Sequence, residues 1–228
     1  MYRFLSKLAT LDRLQAFPVP IPGREIRTGL GLVHYERKME PLEINSDIDG
    51  VRLFKAPIFQ TRPTGLCLKF HEGYETRDLP DIWGCFCKLF VSQTVRNIIE
   101  RIDDFEHEFT KIEWIDCNDQ VVETDQNYYL FNQRRWLQII PSDQIVKKSE
   151  VSFFPERCSE DFLGRLINDA FLCEYLDGFP IWQSFGKDSD IQVKSLRYRS
   201  ILYLNKDLVE EFKNNNITYY ESSLVELP

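Results

Sequence analysis

Leu89-Phe90-Val91-Ser92-Gln93-Thr94-Val95-Arg96-Asn97-Ile98-Ile99 and Leu202-Tyr203-Leu204-Asn205-Lys206-Asp207-Leu208-Val209-Glu210-Glu211-Phe212 share one design. Each opens with a short apolar run of strand length. Each then places a residue that caps helices well, Ser92 or Asn205, because its side-chain oxygen can accept from an orphan N–H of the first turn. Each continues with helical periodicity: Val95, Ile98, Ile99 and Ile102 form one stripe in the first. A further strand-like run follows both, Ile112–Ile115 in one case and Ile217–Tyr220 or beyond in the other. Two strand–helix–strand pieces in one α+β body are expected. Coincidence of a common supersecondary pattern is the competing reading.

Outward from these stretches, Lys111–Ile115 alternates, with Ile112 and Trp114 on one face and Glu113 on the other. Asp116-Cys117-Asn118-Asp119 reads as a turn. Gln126–Phe131 and Trp136–Ile140 predict further strands, the second closed by Pro141. Ser159 is expected to cap a helix that buries Phe162, Leu163, Leu166, Ile167 and Phe171 and stops at Gly178 and Pro180. The first 17 residues read as an amphipathic helix on Phe4, Leu8 and Leu11, ended by Pro18, Pro20 and Pro22. From there to Leu79 the chain is rich in loops. Val51–Phe54 and Leu66–Phe70 are candidate strands, and Asp49-Gly50 signals a turn. The fold class expected is α+β, with a mixed or mainly antiparallel sheet and several helices. Residues 1–228 are expected to form one compact unit, with possible lobes at 1–78 and 79–228. Ile98, Ile99, Ile102, Ile112 and Trp114 are expected to be buried together.

With 228 residues, 43% of them hydrophobic, the chain has enough apolar content to build a core without a metal or disulfide staple. Acids outnumber bases 36 to 28, so a phosphate backbone would be repelled and no nucleic-acid partner is expected. No run of 18 apolar residues occurs, so no membrane span is expected. Lys7, Asp12 and Arg13 interrupt the first apolar stretch, unlike a secretory signal. A cytoplasmic protein with reduced cysteines is the expectation.

Motifs of chemistry are incomplete. Gly29-Leu30-Gly31 begins a dinucleotide fingerprint, but His34 stands at the third glycine. Asn45-Ser46-Asp47-Ile48-Asp49-Gly50 resembles the start of a calcium loop, yet Ala56 occupies the position of the bidentate Glu, and a turn is the better reading. Cys85-Phe86-Cys87 is too closely spaced for zinc and lacks a second pair. His34, His71 and His107 each have a Glu within two residues, which suits a tuned base or a plain surface histidine. No catalytic residue, cofactor or metal ligand is assigned.

The charge is concentrated. Ten acids lie between Glu100 and Asp125 against Arg101 and Lys111 alone, so this stretch carries the whole net charge of −8. A solvated face accounts for that. A steering surface for a basic partner is the sharper alternative, with Phe105 and Phe109 as interface anchors, or else core residues at a helix end, among Asp103, Asp104, Glu106 and Glu108, and with Asp116 and Asp119 further along.

Leu79-Pro80-Asp81-Ile82, Leu89-Phe90-Val91-Ser92, a helix to Ile99-Glu100, Tyr128-Tyr129-Leu130-Phe131-Asn132, and the closing Lys206–Phe212 with Asn216-Ile217-Thr218 follow in order. Over about Leu79–Leu227 the chain resembles the bacterial immunity proteins found beside polymorphic toxins and type VI secretion effectors. The glycine usual after the final Ile-Thr is Tyr219 here. The resemblance implies a cytoplasmic, non-catalytic inhibitor that binds a cognate toxin or effector protein in interbacterial competition, and a basic toxin would suit the acidic stretch. An enzyme of another family, or a scaffold or regulator unrelated to toxins, are the alternatives. The oligomeric state is left open.

Overall fold

The structure is a computed structural model that describes residues 2–5, 16–20, 40–41, 51–55, 66–70, 72–73, 79–85, 88–139, 170–184, 202–218 and 223–226. It is an α+β protein with two mixed sheets. The described strands are β1 (Tyr2–Leu5), β2 (Ala16–Pro20), β3 (Glu40–Pro41), β4 (Val51–Lys55), β5 (Leu66–Phe70), β6 (Ile82–Cys85), β7 (Lys88–Ser92), β8 (Glu108–Ile115), β9 (Tyr128–Asn132), β10 (Arg135–Ile139), β11 (Ile181–Ser184), β12 (Leu202–Leu204) and β13 (Ser223–Glu226). The described helices are α1 (Gln93–Ile102), α2 (Ala170–Asp177) and α3 (Lys206–Asn214). One sheet runs β13-β1-β12-β11-β10-β4-β3 and the other β2-β5-β8-β9-β7-β6. Neighbours are antiparallel except β10 with β11 and β5 with β8.

The two strand–helix–strand pieces are β7-α1-β8 and β12-α3-β13; the closing strand of the second lies beyond Ile217 and Thr218, which are in no strand, at Ser223–Glu226. Their helices start where the caps predict. Ser92 Oγ accepts from Val95 N at 3.3 Å, and Asn205 Oδ1 from Leu208 N at 2.8 Å. Asn205 Nδ2 also donates to the Asp177 carbonyl at 3.2 Å, which ties the end of α2 to the start of α3. The stripes of α1 (Val95, Ile98, Ile99) and α3 (Leu208, Val209, Phe212) are buried in one apolar cluster. Ile82, Val91, Tyr129 and Phe131 of the six-stranded sheet complete it from one side, and Ile181, Leu202 and Leu204 of the seven-stranded sheet from the other. Each large side chain buried there contributes roughly 1.5–3 kcal/mol. Arg101 of α1 and Glu211 of α3 pair at the rim.

Several expectations are corrected. Tyr2–Leu5 is a strand, not the start of a helix, because pairing with β12 and β13 overrides local periodicity. Ala16–Pro20 is also a strand, at the edge of its sheet. Pro18 and Pro20 are two apart, so both missing N–H groups lie on the same side of the strand, which an edge position tolerates. Of residues 1–78, the described β1, β3 and β4 join one sheet and β2 and β5 the other. Ile98 and Ile99 share the central cluster, with Ile102 packed against it. Ile112 and Trp114 are buried elsewhere, since strand alternation puts them on the face opposite Phe109. There Trp114 stacks on Phe70 at 4.6 Å and meets Tyr128 edge-on. Helix α2 buries Leu172 and Leu176, whereas Phe171 is 67% exposed. The readings on His34, His71, Asn45–Gly50, residues 86–87 and 159–169 lie outside the described residues.

Asn205→Ala removes both hydrogen bonds of the cap and is expected to lower stability by about 1–2 kcal/mol. Asn205→Asp keeps the acceptor and should retain most of it. Chemical denaturation of the two variants checks this.

Candidate partner surface and its buried anchor

The acidic residues singled out by sequence do not form one surface. The acids before β8 and those after it are separated by the eight residues of that strand, about 25 Å. The two ends differ in what they do.

At the first end, the chain leaves α1 at Asp103, whose N–H closes the helix on the Ile99 carbonyl at 2.8 Å. Asp103 is only 4% exposed. Its carboxylate accepts two hydrogen bonds from Arg135, Nη1 to Oδ2 and Nη2 to Oδ1, both at 2.7 Å. It also accepts from Phe105 N at 3.0 Å and faces His107 Nε2 at 3.2 Å. Arg135 Nη1 reaches on to the Ile181 carbonyl at 3.1 Å, and the guanidinium lies over the rings of Phe105 and Phe179. The loop after α1 is thereby fastened to β10 and to the start of β11, which joins one sheet to the other.

His107 completes this anchor. Arg134 N donates to Nδ1 at 3.2 Å, so the ring proton is assigned to Nε2, which then donates to Asp103. Both nitrogens are used and the side chain is 2% exposed, so the ring offers no nitrogen to a substrate. Burial lowers its pKa below the usual histidine range; Asp103 opposes this, while Arg135 and Arg134 add to it. Burial would raise the Asp103 carboxyl, but the hydrogen bonds from His107 and Arg135 outweigh it and hold it below the usual carboxylate range.

Sequence reasoning therefore missed the roles of Asp103 and Glu108. Both were expected on a steering surface. Asp103 is the buried anchor, and Glu108, 7% exposed, accepts from Asn132 Nδ2 at 3.0 Å. Glu106 is exposed, but Lys55 and Arg134 bind it and hold its carboxyl below the usual range. Phe105 is half-buried beneath Arg135, and Phe109 is half-buried with its ring stacked on Phe131 at 4.8 Å. Only Asp104 of this group is both exposed and outside the ion pairs seen among the described residues. The signal that existed was the Arg134-Arg135 pair, whose buried partner had to be acidic.

At the second end, Asp116 shapes a tight loop. Its Oδ1 accepts from Asn118 N and Gln120 N, both at 2.8 Å. Asp119 sits at φ +63°, a left-handed conformation that Asp tolerates better than most residues. Its carboxylate pairs with Lys69 of β5 at 2.6 Å. The loop folds back through an Ile115–Val121 bridge and a Val122 N bond to the Trp114 carbonyl at 2.9 Å. This leaves Val121 69% exposed, with Glu123 and Asp125 also exposed beside it in the chain.

Among the described residues, no group of three or more His, Cys, Asp or Glu side chains is placed to hold a metal ion, and no helix is long and apolar enough to cross a membrane. Cys67 is buried, and Cys117 and Cys173 are half-buried; burial raises Cys67 to about 11, with Glu113 and Asp119 adding to the rise.

Two predictions follow from the anchor. Asp103→Ala strands the Arg135 charge and should cost about 3–5 kcal/mol, whereas Asp103→Ala with Arg135→Met should recover much of that loss. Denaturant titration of both variants decides it. The second concerns pH. The folded state holds His107 neutral, so the unfolded chain binds more protons below about pH 6.5, and stability falls on acidification from about pH 7 to 5. The depressed Asp103 carboxyl adds a further loss below about pH 4. Thermal melts of His107→Gln should show a smaller slope between pH 5 and 7 than the parent.

Compared with known proteins, no family model matches this chain and no curated protein is similar to it.

Proposed function

We propose that the protein is an immunity protein: it binds a cognate toxin in the cytoplasm, one to one, and blocks it. The resemblance over about Leu79–Leu227 supports this reading. The observation that carries it is the loop at 116–125. An exposed apolar tip, Val121, stands between Asp119 and the exposed Glu123 and Asp125 on a backbone fastened by Asp116. A rigid loop loses little entropy when it docks, and an apolar centre with a charged rim is the usual anatomy of a specific interface. The complementary surface is basic around a small apolar recess, which suits a toxin that must approach phosphates. Asp104 lies about 25 Å away, at the other end of β8, and is not part of this loop.

Glu123→Lys with Asp125→Lys should slow association about tenfold at low salt, and the difference should shrink at high salt, where charges are screened beyond about 8–10 Å. Val121→Asp should mainly speed dissociation. Both are exposed substitutions and should leave folding within about 0.5 kcal/mol of the parent. Surface resonance with the toxin encoded beside it reads both rates. Unchanged rates would remove this loop from the interface. Co-expression tests the role itself: cells that die while the protein is folded and present would refute it.

A further inference from the structure

The likeness between the two halves extends beyond the strand–helix–strand pieces. In the first unit Ile82 and Trp83 of β6 face Val91 and Phe90 of β7. In the second, Ile181 and Trp182 of β11 face Leu204 and Tyr203 of β12. The same dipeptide thus takes the same register against the strand that leads into each helix. The Ser92 N–H bonds to the Asp81 carbonyl at 2.8 Å, and the Asn205 N–H to the Pro180 carbonyl at 3.0 Å, so the matched positions continue one residue outward.

The fourth strand extends the match. In the first unit β9 lies between β7 and β8, with Tyr129 opposite Val91 and Lys111, and Phe131 opposite Leu89 and Phe109. In the second unit β1 lies between β12 and β13, with Tyr2 opposite Leu204 and Glu226, and Phe4 opposite Leu202 and Leu224. Every antiparallel register agrees, and Tyr2-Arg3-Phe4 matches Tyr129-Leu130-Phe131 in the Tyr-x-Phe pattern. The strand orders are β6-β7-β9-β8 and β11-β12-β1-β13. They differ only in chain order. The closing strand follows β8 in the first unit, whereas in the second it comes first in the chain.

The units also clasp each other alike. The loop after α1 reaches the start of β11 through Asp103, Arg135 and the Ile181 carbonyl. The loop after α3 reaches the start of β6, where Ile82 N donates to the Thr218 carbonyl at 3.1 Å and Asp81 accepts from Thr218 N at 3.0 Å.

We infer that the chain is a circularly permuted tandem duplication of one β–β–α–β–β unit, and that the slot between β12 and β13 is a binding site for a Tyr-x-Phe strand, filled by residues 2–5.

The test uses the whole chain. A permutant that joins Pro228 to Met1, leaving three residues between Glu226 and Tyr2, and opens between Thr10 and Leu11 restores the order of the first unit. It is expected to fold with a Tm within about 5 °C of the parent; a second permutant with four extra linker residues guards against a strained joint. Failure of both to fold would overturn the inference. Independently, Phe4→Ala in the parent chain should lower Tm about as much as Phe131→Ala, while Arg3→Leu with Leu5→Asn, which writes the β9 sequence into β1, should leave Tm within about 3 °C. A Phe4→Ala variant as stable as the parent would also overturn it.

Discussion

Two helices, each with an apolar stripe too large to remain in water, meet on a common axis of contact, and this shared burial governs everything else. Neither unit owns a complete core. Val95, Ile98 and Ile99 of α1 and Leu208, Val209 and Phe212 of α3 bury one another together with one face from each sheet. Short helices of ten and nine residues are marginal alone, so they depend on this packing rather than on propensity. The polar features serve the same junction from its edges. Asp103 with Arg135 closes one side, Asp81 with Thr218 the other, and Arg101 with Glu211 bridges the helices.

The parts of the fold governed by nearest neighbours were legible. Ser92 and Asn205 announced their helices because a cap is a three-residue contact. Val51–Phe54, Leu66–Phe70 and Trp136–Ile140 were legible as apolar runs of strand length, and strands form there at Val51–Lys55, Leu66–Phe70 and Arg135–Ile139. The failures share one cause. Tyr2–Leu5 carries a helical spacing with Leu8 and Leu11, but its partners lie some two hundred residues away, and no local pattern reveals them. Pro18 and Pro20 read as terminators because the edge position that tolerates them is a property of the sheet. Ile112 and Trp114 were assigned the correct face of their strand but the wrong neighbours, since a sheet covered on both faces has two interiors.

The candidate surface was legible only as composition. A count of charge does not say which carboxylates are already spent. Of the acids from Glu100 to Asp125, Glu100, Asp103, Glu106 and Asp119 are engaged by Arg96, Arg135, Lys55 and Lys69. Three of those cations come from strands distant in sequence. The distinction between an acid that holds the fold and one left for a partner is made by tertiary structure. At Asp116 even an accessible carboxylate is committed, to its own loop.

The placement of β1 has a consequence for how the protein is made. Its residues are made some two hundred residues before either strand that flanks it. At the usual rate of 5–20 residues per second, Tyr2–Leu5 waits roughly ten to forty seconds without its neighbours. During that interval the first unit, whose four strands and helix are contiguous in the chain, is already available to fold. Until β12 and β13 emerge, β1 has no partner strand and the first unit lacks half of the shared core, a state that invites chaperones and mispairing with other chains.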